Sequence, residues 1–441
     1  MKSALLATLG TASALPAIAL VSTSPASSAS FDLWMKEMAA KAAAAGTTLN
    51  QATDAVTELQ KVLAQPVPAP STPAPSPSPT PTMNHTAHHT AHQTTAAPLS
   101  PIIVNGLASL AAITSGLDLN SVVQTGIPIA NTGKPDVVGA FRFICEPSHI
   151  AYADPVVYPG DRSGKSHLHV FFGNTKTDAD STYESLRTTG DSTCINTGNR
   201  SAYWEPALIQ TNAAGANEVV MPNHLNVYYK RRPASDPYFQ ANGVTPVNIP
   251  RGLRYVFGYP TSNPTFKCVD PRTSSNITDW STDMRATLAK CPTGRQLDVS
   301  VTSPACWDGK NLDSADHRSH MANPRGGADH NWVVKCPATH PYEIPTFTLQ
   351  SIFTILPTDR PTTWRFSSDM MQPGAAPGST FHADWFGAWE DKLLDTWQDW
   401  CINKLLTCSS GNLGNGTTMR ESPTYVRLKQ MPEQRLPMPA A

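Results

Sequence analysis

The stretch that decides the fold is Ser166-His167-Leu168-His169-Val170-Phe171-Phe172-Gly173. Its β-branched and aromatic residues, closed by a glycine, predict a strand over residues 167–172. Because strand side chains repeat every two residues, His167 and His169 point to the same face. Two imidazoles on one face can bind one metal ion, so this stretch predicts both a strand and a pair of metal ligands.

Similar short runs recur along the chain, and loops rich in Pro, Gly, Asn and Asp separate them. They predict strands over residues 137–144, 226–230, 252–257, 296–301 and 347–356. One late helix is predicted over residues 385–404, with its aromatic residues in the core. Forty prolines against 26 glycines also favour loops over a helical bundle. The sequence therefore predicts an α+β fold, mainly β and loop-rich.

The eight cysteines all lie at or after Cys145, and none forms a CxxC pair. This spacing indicates against a zinc ribbon or a thioredoxin-type site and predicts four disulfides in an exported protein. Short loop closure favours the pairs Cys401–Cys408 and Cys268–Cys291, and the pairing of the other four stays open. The main domain is thus expected to be a single, disulfide-stapled unit.

The first residues have the features of a secretory signal peptide. Lys2 precedes an apolar stretch, and the small residues Ser27 and Ala29 are placed for cleavage after residue 29. The alternative is a membrane anchor, which the Pro and Gly within the apolar stretch disfavour. No later apolar run is long enough for a membrane span. The protein is therefore expected to be secreted, extracellular or at the cell surface.

The rest of the chain divides by composition. A proline-rich linker that cannot bury a core follows short N-terminal helices. Its four histidines, His85, His88, His89 and His92, can scavenge metal weakly or be incidental. The predicted segments are a signal peptide 1–29, an amphipathic helical segment 30–65, a Pro/Ser/Thr/His-rich linker 66–100, an irregular lead-in 101–135, the main domain 136–410 and a poorly ordered tail 411–441.

Charge and motifs exclude several function classes. Charged residues make up 15% of the chain and the net charge is −1, which argues against a nucleic-acid binder with a basic face. No P-loop or GxGxxG motif occurs, so no nucleotide cofactor is expected. No GxSxG motif supports a serine hydrolase, and no HExxH motif supports a zincin.

Histidines and aspartates form the leading candidate site. Imidazole and carboxylate groups together suit a divalent Zn, Cu or Mn ion. Asp308 or Asp384 would act as general base on a water whose pKa the metal lowers. The alternative for each histidine is a structural role with hydrogen bonds in a loop-rich core. The predicted metal ligands are His167, His169, His317, His320 and His382.

A second candidate is a carbohydrate site. Carboxylates beside aromatic rings are typical of sugar sites, where glycosidases need two carboxyls and rings contact the sugar faces. Trp-Glu and Trp-Asp pairs are also common without function, so this pattern is weaker. The predicted substrate-binding residues are Trp204, Glu205, Trp307 and Trp385.

An ordered series of motifs runs through the main domain. The motifs include Asp154-Pro155, Ser166-His167-Leu168-His169, Tyr203-Trp204-Glu205-Pro206, Cys306-Trp307-Asp308-Gly309, Asp316-His317-Arg318-Ser319-His320-Met321 and Phe381-His382-Ala383-Asp384. This series resembles the domain of unknown function numbered nineteen-ninety-six, over about residues 136–408. That family occurs in secreted fungal and bacterial proteins, in fungi sometimes beside carbohydrate-binding WSC modules. The resemblance implies secretion, disulfides and contact with polysaccharide, but no activity.

Two hypotheses of different classes follow. In the first, a secreted metal-binding domain binds or hydrolyses extracellular or cell-wall polysaccharide through a His/Asp site, as a metal-dependent hydrolase. In the second, a non-catalytic cell-surface or matrix protein binds carbohydrate or has a structural role, and its histidines are structural.

Overall fold

Short strands dominate the computed structural model, which describes residues 99–131, 137–324 and 335–440. The strands in chain order are β1 Ile102–Val104, β2 Leu107–Ser109, β3 Val123–Thr125, β4 Gly139–Cys145, β5 Pro147–Ala151, β6 His169–Gly173, β7 Ala202–Pro206, β8 Leu208–Thr211, β9 Asn217–Val220, β10 His224–Arg231, β11 Thr245–Pro246, β12 Arg254–Gly258, β13 Thr265–Asp270, β14 Ser275–Asn276, β15 Gln296–Thr302, β16 Cys306–Trp307, β17 Met321–Ala322, β18 Tyr342–Glu343, β19 Thr346–Thr354, β20 Arg365–Phe366, β21 His382–Phe386, β22 Thr407–Ser409, β23 Thr417–Met419 and β24 Arg435–Pro437.

The helices are short, and several begin at a side chain that accepts a hydrogen bond from the first turn. Thr182 and Ser185, for example, form a reciprocal capping box at the start of one helix. The helices are α1 Leu119–Val122, α2 Tyr183–Thr188, α3 Pro237–Asn242, α4 Met284–Leu288, α5 Ser367–Met370, α6 Asp391–Trp397 and α7 Pro423–Leu428, with a 3₁₀ turn Pro361–Thr363 and a π-helical turn Gln398–Ile402 that continues α6.

Two large sheets organise the strands. The first has seven strands in the order β14-β13-β15-β19-β10-β4-β22, and the second has five in the order β12-β21-β7-β6-β5. All pairs within them are antiparallel except β22 with β4. Smaller sheets join β11-β18-β16-β17 and β20-β8-β9-β24, and two-stranded pairs join β1-β2 and β23-β3.

The inner faces of the two large sheets pack against each other. Phe347 of the seven-stranded sheet lies 5.2 Å from Trp385 of the five-stranded sheet, measured between ring centroids. The hydroxyl groups of Tyr203 and Tyr229 hydrogen-bond across the same interface at 3.0 Å. Because side chains alternate along a strand, the residues before and after these point to the outer faces. Each sheet thus has one core face and one outer face.

The predicted fold class is confirmed, and each of the six predicted strands is present. The predicted helix over residues 385–404 begins too early. Trp385 lies in β21, where it pairs with Tyr203 and Tyr255 and is fully buried, and α6 begins only at Asp391. Sheet pairing and burial therefore override the helical pattern at the start of this segment.

Four disulfides join the eight cysteines. The pairs Cys401–Cys408 and Cys268–Cys291 are confirmed. The other two are Cys145–Cys194 and Cys306–Cys336. Each bridge stabilises the fold by about 2–4 kcal/mol, mainly by restricting the unfolded chain.

The structure describes the C-terminal end of the chain up to residue 440 but the N-terminal part only from residue 99. The predicted signal peptide, the helical segment and the linker up to residue 98 lie outside the described residues. The lead-in 101–135 contains β1, β2, α1 and β3, and the predicted tail 411–441 contains β23, α7 and β24, so both have more regular structure than predicted. In the described ranges no helix is long and apolar enough to cross a membrane.

Candidate metal centre

The outer face of the five-stranded sheet brings separate motifs together. Phe171 pairs with Trp204, and Trp204 pairs with Asp384, so the three share one face across β6, β7 and β21. His169 and His382 lie two residues before Phe171 and Asp384 and therefore project from the same face. Alternation along two strands thus places two imidazoles and a carboxyl side by side.

His167 completes a cluster of three rings. It lies two residues before His169, immediately ahead of β6, and its ring centroid is 4.2 Å from that of His169. The ring of His382 is 5.0 Å from His167 and 6.1 Å from His169. One potential ligand atom from each of the three lies within 4.8 Å of the others. These rings are close enough to share one ion.

Backbone carbonyls fix the orientation of two of these rings. Nδ1 of His169 lies 2.9 Å from the Ala153 carbonyl oxygen, and Nδ1 of His382 lies 2.9 Å from that of Thr380. A carbonyl only accepts, so each Nδ1–H donates and the lone pair is on Nε2. Nε2 of His169 and of His167 has no hydrogen-bond partner within the described residues. This arrangement is typical of metal-ligating histidines.

Two buried carboxyls adjoin the rings. Asp384 is fully buried, and neither of its oxygens has a hydrogen-bond partner in the described part of the chain. Its Oδ2 lies 3.8 Å from Nε2 of His382. Asp154 accepts from the backbone N–H groups of Val156 and Val157. Leaving a buried carboxyl without partners is costly unless a cation or a proton balances it.

Asp154, His169 and Asp384 form a second group whose potential ligand atoms also lie within 4.8 Å of one another. His169 is common to both groups, and its Nδ1 is engaged by Ala153. Its single Nε2 lone pair can therefore serve one ion at a time. The five residues form one His/Asp centre rather than two independent ones, and this centre could hold a metal ion.

Burial sets the protonation of the centre. It lowers the pKa of His169 to about 3 and of His382 to about 4, and it holds the pKa of His167 well below its usual range, with neighbouring imidazoles adding to the effect in His167 and His169. Burial raises the pKa of Asp154 to about 6 and that of Asp384 well above its usual range. The imidazoles are thus neutral, which is the form that binds metal.

The other two predicted histidine ligands are not in this centre. Nδ1 of His317 lies 2.9 Å from Oδ1 of Asp313. Both ring nitrogens of His320 are engaged, by the Ser314 hydroxyl at 2.8 Å and the Arg254 carbonyl at 3.0 Å. His320 is therefore a hydrogen-bonded structural residue.

The two predicted general bases, Asp308 and Asp384, lie in different places. Asp384 lies in the centre, whereas Asp308 accepts from the backbone N–H groups of Lys310 and Asn311 and holds a turn. Asp154, which the sequence marks only as the start of a family motif, joins the centre instead. The sequence signal for Asp154 was its position in Asp154-Pro155, ahead of the strand β6 that carries His169.

The predicted substrate-binding residues are buried. Trp204, Trp307 and Trp385 are 0% exposed and Glu205 is 1% exposed. Trp204 stacks on Phe171 beneath the centre, with 5.7 Å between ring centroids. Glu205 faces the core and accepts from the Ser351 hydroxyl at 2.7 Å, and burial raises its pKa to about 8. These positions offer no open ring face to a sugar.

Comparison with known proteins adds one family. The family model described as Domain of unknown function (DUF1996) matches residues 154–389, a range that contains all five residues of the His/Asp centre. No curated protein and no solved structure matches the chain. The matched range spans more than half of the sequence, and the chain therefore belongs to the DUF1996 family.

Proposed function

We propose that the His/Asp centre holds one divalent transition-metal ion and that the protein is a secreted metal-dependent hydrolase of polysaccharide. One observation carries the proposal: a potential ligand atom of His169 lies within 4.8 Å of those of His167 and His382, and His169 also groups in this way with Asp154 and Asp384. Asp384 is a buried carboxyl that lacks hydrogen-bond partners within the described residues. A cation placed there would balance the carboxyl and accept the imidazole lone pairs.

The donor set fits a catalytic zinc ion. Catalytic zinc sites have about three protein ligands and one open position, and imidazole and carboxylate are common among them. Imidazole also suits copper, and carboxylate also suits manganese. Thiolate ligands are not available, because the eight cysteines are all in disulfides. The three imidazoles would therefore hold the ion and leave a position for water or substrate.

The chain's own groups supply the remaining chemistry. When bound, a divalent metal lowers the pKa of water toward neutrality and polarises the bond to be cleaved. Asp154, with its pKa raised to about 6, can hold and return a proton near neutral pH. Arg318 is close enough to Asp384 to lower the pKa of that carboxyl electrostatically, and it would stabilise negative charge developing in the centre.

The proposed substrate follows from location. A signal peptide is predicted, and four disulfides are consistent with an extracellular protein. Polysaccharides are abundant polymers outside cells, and their hydrolysis requires no nucleotide cofactor.

The test measures reducing ends released from a panel of cell-wall polysaccharides by the full chain. We expect release that a chelator abolishes, that added Zn²⁺ restores and that His169→Ala removes. His320→Ala is the matched control and should retain activity. Release that persists after chelation and in His169→Ala would contradict a metal mechanism. A fully metal-loaded protein that cleaves no polysaccharide would contradict the hydrolase assignment.

A further inference from the structure

The outer face of the seven-stranded sheet lies on the other side of the sandwich from the His/Asp centre. Along β10 and β19 buried residues alternate with outward ones. A solvated outer face is usual for an antiparallel sheet, so polarity alone marks nothing. The outward side chains include Asn226, Tyr228 and Lys230 on β10, Thr346, Thr348 and Gln350 on β19, Asp298, Ser300 and Thr302 on β15, and Thr265 and Lys267 on β13.

The first distinguishing feature of this face is its shape. Two depressions of about 400 Å³ and 490 Å³ adjoin there and share Lys230, Thr265 and Ser300. The register Thr265↔Ser300↔Gln350 runs straight across three strands. From β13 to β10 there are three strand spacings, or about 14 Å. The face therefore has a groove long enough for several units of an extended polymer.

The second feature is a pair of aromatic rings in the same groove. Trp280 is 44% exposed, in contrast to the buried Trp204 and Trp385 of the five-stranded sheet. It lines one depression together with Tyr228. Nζ of Lys267 lies 4.5 Å from the Trp280 ring centroid. Lys267 therefore lies over one face of the Trp280 ring, and the exposed remainder of the indole is the apolar surface that a ligand can contact.

The third feature is charge. Arg142 pairs in register with Tyr228, and Lys230 and Lys267 add two further cations to this face. Asp298 is the acidic residue among the outward positions of β10, β19, β15 and β13, and it is already engaged. It accepts from Nε2 of Gln350 at 2.7 Å and lies 4.0 Å from Nζ of Lys267. Glu343 also lines the 400 Å³ depression, together with Lys230, Arg231 and Arg232. Cations therefore outnumber carboxyls in the groove.

We propose that this groove, formed by the outer face of β10, β19, β15 and β13 with Trp280, binds an acidic polysaccharide. Trp280 and Tyr228 contact the apolar faces of the sugar rings, and Lys230 and Lys267 pair with uronate carboxylates. The polar residues between them hydrogen-bond sugar hydroxyls. This inference is argued from the sheet face alone and does not depend on the metal centre being catalytic.

The experiment uses the full chain and polygalacturonate as the probe, with dextran as the neutral comparison. Binding is measured by titration calorimetry and by retardation in polysaccharide-containing native gels. The variants are Trp280→Ala and the double change Lys230→Gln with Lys267→Gln. Trp400→Ala is the matched control, because Trp400 is also exposed (38%) and also lies near a lysine, with Lys404 Nζ 5.9 Å from its ring.

We expect polygalacturonate to bind, dextran to bind at least tenfold more weakly, and added salt to weaken binding. Trp280→Ala and the lysine double change should each weaken binding about tenfold. Trp400→Ala and His169→Ala should leave binding unchanged, which separates this groove from the metal centre. Equal binding by Trp280→Ala and the unaltered chain would overturn the proposal. So would duplex DNA binding as tightly as polygalacturonate, since that would indicate attraction to any polyanion.

Discussion

The two faces of the five-stranded sheet each bury a carboxyl, and the two carboxyls have different surroundings. Glu205 faces the core and has a partner, the Ser351 hydroxyl. Asp384 faces outward, is equally buried, and has no hydrogen-bond partner in the described ranges. The Nε2 atom of His382 lies beside Asp384 instead. Burial alone therefore does not distinguish a candidate metal site, whereas a buried carboxyl without hydrogen-bond partners in the described ranges, beside imidazole lone pairs, does.

The largest expected effect on metal affinity comes from a change on the outer face of the five-stranded sheet. His169→Ala removes the one ligand common to both groups of the centre. Structural zinc sites bind with roughly 10–16 kcal/mol, and losing one of three imidazoles here should weaken affinity about 1000-fold. Competition with a chromogenic zinc chelator measures this. An affinity within tenfold of the unaltered chain would place the metal elsewhere.

The next effect concerns the core face. The pKa of Glu205 is about 8 in the folded protein and its usual value is 4.5, so the unfolded chain ionises first as pH rises. The stability that protonated Glu205 contributes is fully present below about pH 4.5. It should decline as the pH rises to about 8, by at most about 5 kcal/mol. Glu205→Gln, which keeps the shape, should remove this decline.

Urea unfolding of both proteins from pH 4 to pH 9 tests that prediction. The difference in free energy of unfolding should grow in favour of Glu205→Gln up to about pH 8 and then level. A constant difference across the range would show that Glu205 is ionised in the folded protein. Metal affinity should be the same in both, because the side chain faces away from the centre.

A histidine outside the centre gives a smaller effect of another kind. His320→Ala removes two hydrogen bonds and leaves the Arg254 carbonyl unpaired, which should cost about 2–3 kcal/mol. Metal affinity should not change. Thermal unfolding with and without Zn²⁺ checks both points, and a loss of metal binding with normal stability would reverse the assignment.

The smallest expected effect is on stability, and its sign differs between the metal-free and the metal-bound protein. Asp384→Asn keeps the shape and removes a buried ionisable group that has no hydrogen-bond partner among the described residues, so it should stabilise the metal-free protein by about 1–2 kcal/mol. The same change should reduce the stabilisation that added metal gives. Scanning calorimetry of both proteins with chelator and with Zn²⁺ resolves the two terms. Destabilisation of the metal-free protein would mean that the carboxyl has a structural partner.

The fold was largely predictable because strand alternation and turn residues are local. The six strands and the two short-range disulfides, such as Cys401–Cys408, follow from neighbours in sequence. The pair His167 and His169 was predictable for the same reason. The start of the late helix was not, because Trp385 is held in a strand by two neighbours far away in the chain.

The rest of the centre depends on contacts that spacing does not encode. His317 and His320 look like a helical pair in sequence, but His317 has a φ of 56°, in the left-handed region, and the two rings bond different partners. Asp154 joins only because the chain after β5 returns beside β6, where Ala153 accepts from His169. Burial of the predicted sugar-binding tryptophans is likewise a tertiary property.

We propose that the outer face of the five-stranded sheet holds one metal ion per chain. The most direct test is elemental mass spectrometry of the full chain with His85, His88, His89 and His92 replaced by Ala, so that the linker cannot contribute. After incubation with Zn²⁺ and desalting, we predict about one ion per chain, and none when His167 and His169 are also replaced. A folded protein that retains no ion after incubation with Zn²⁺, Cu²⁺ or Mn²⁺, or that retains the ion without these two histidines, would contradict the account.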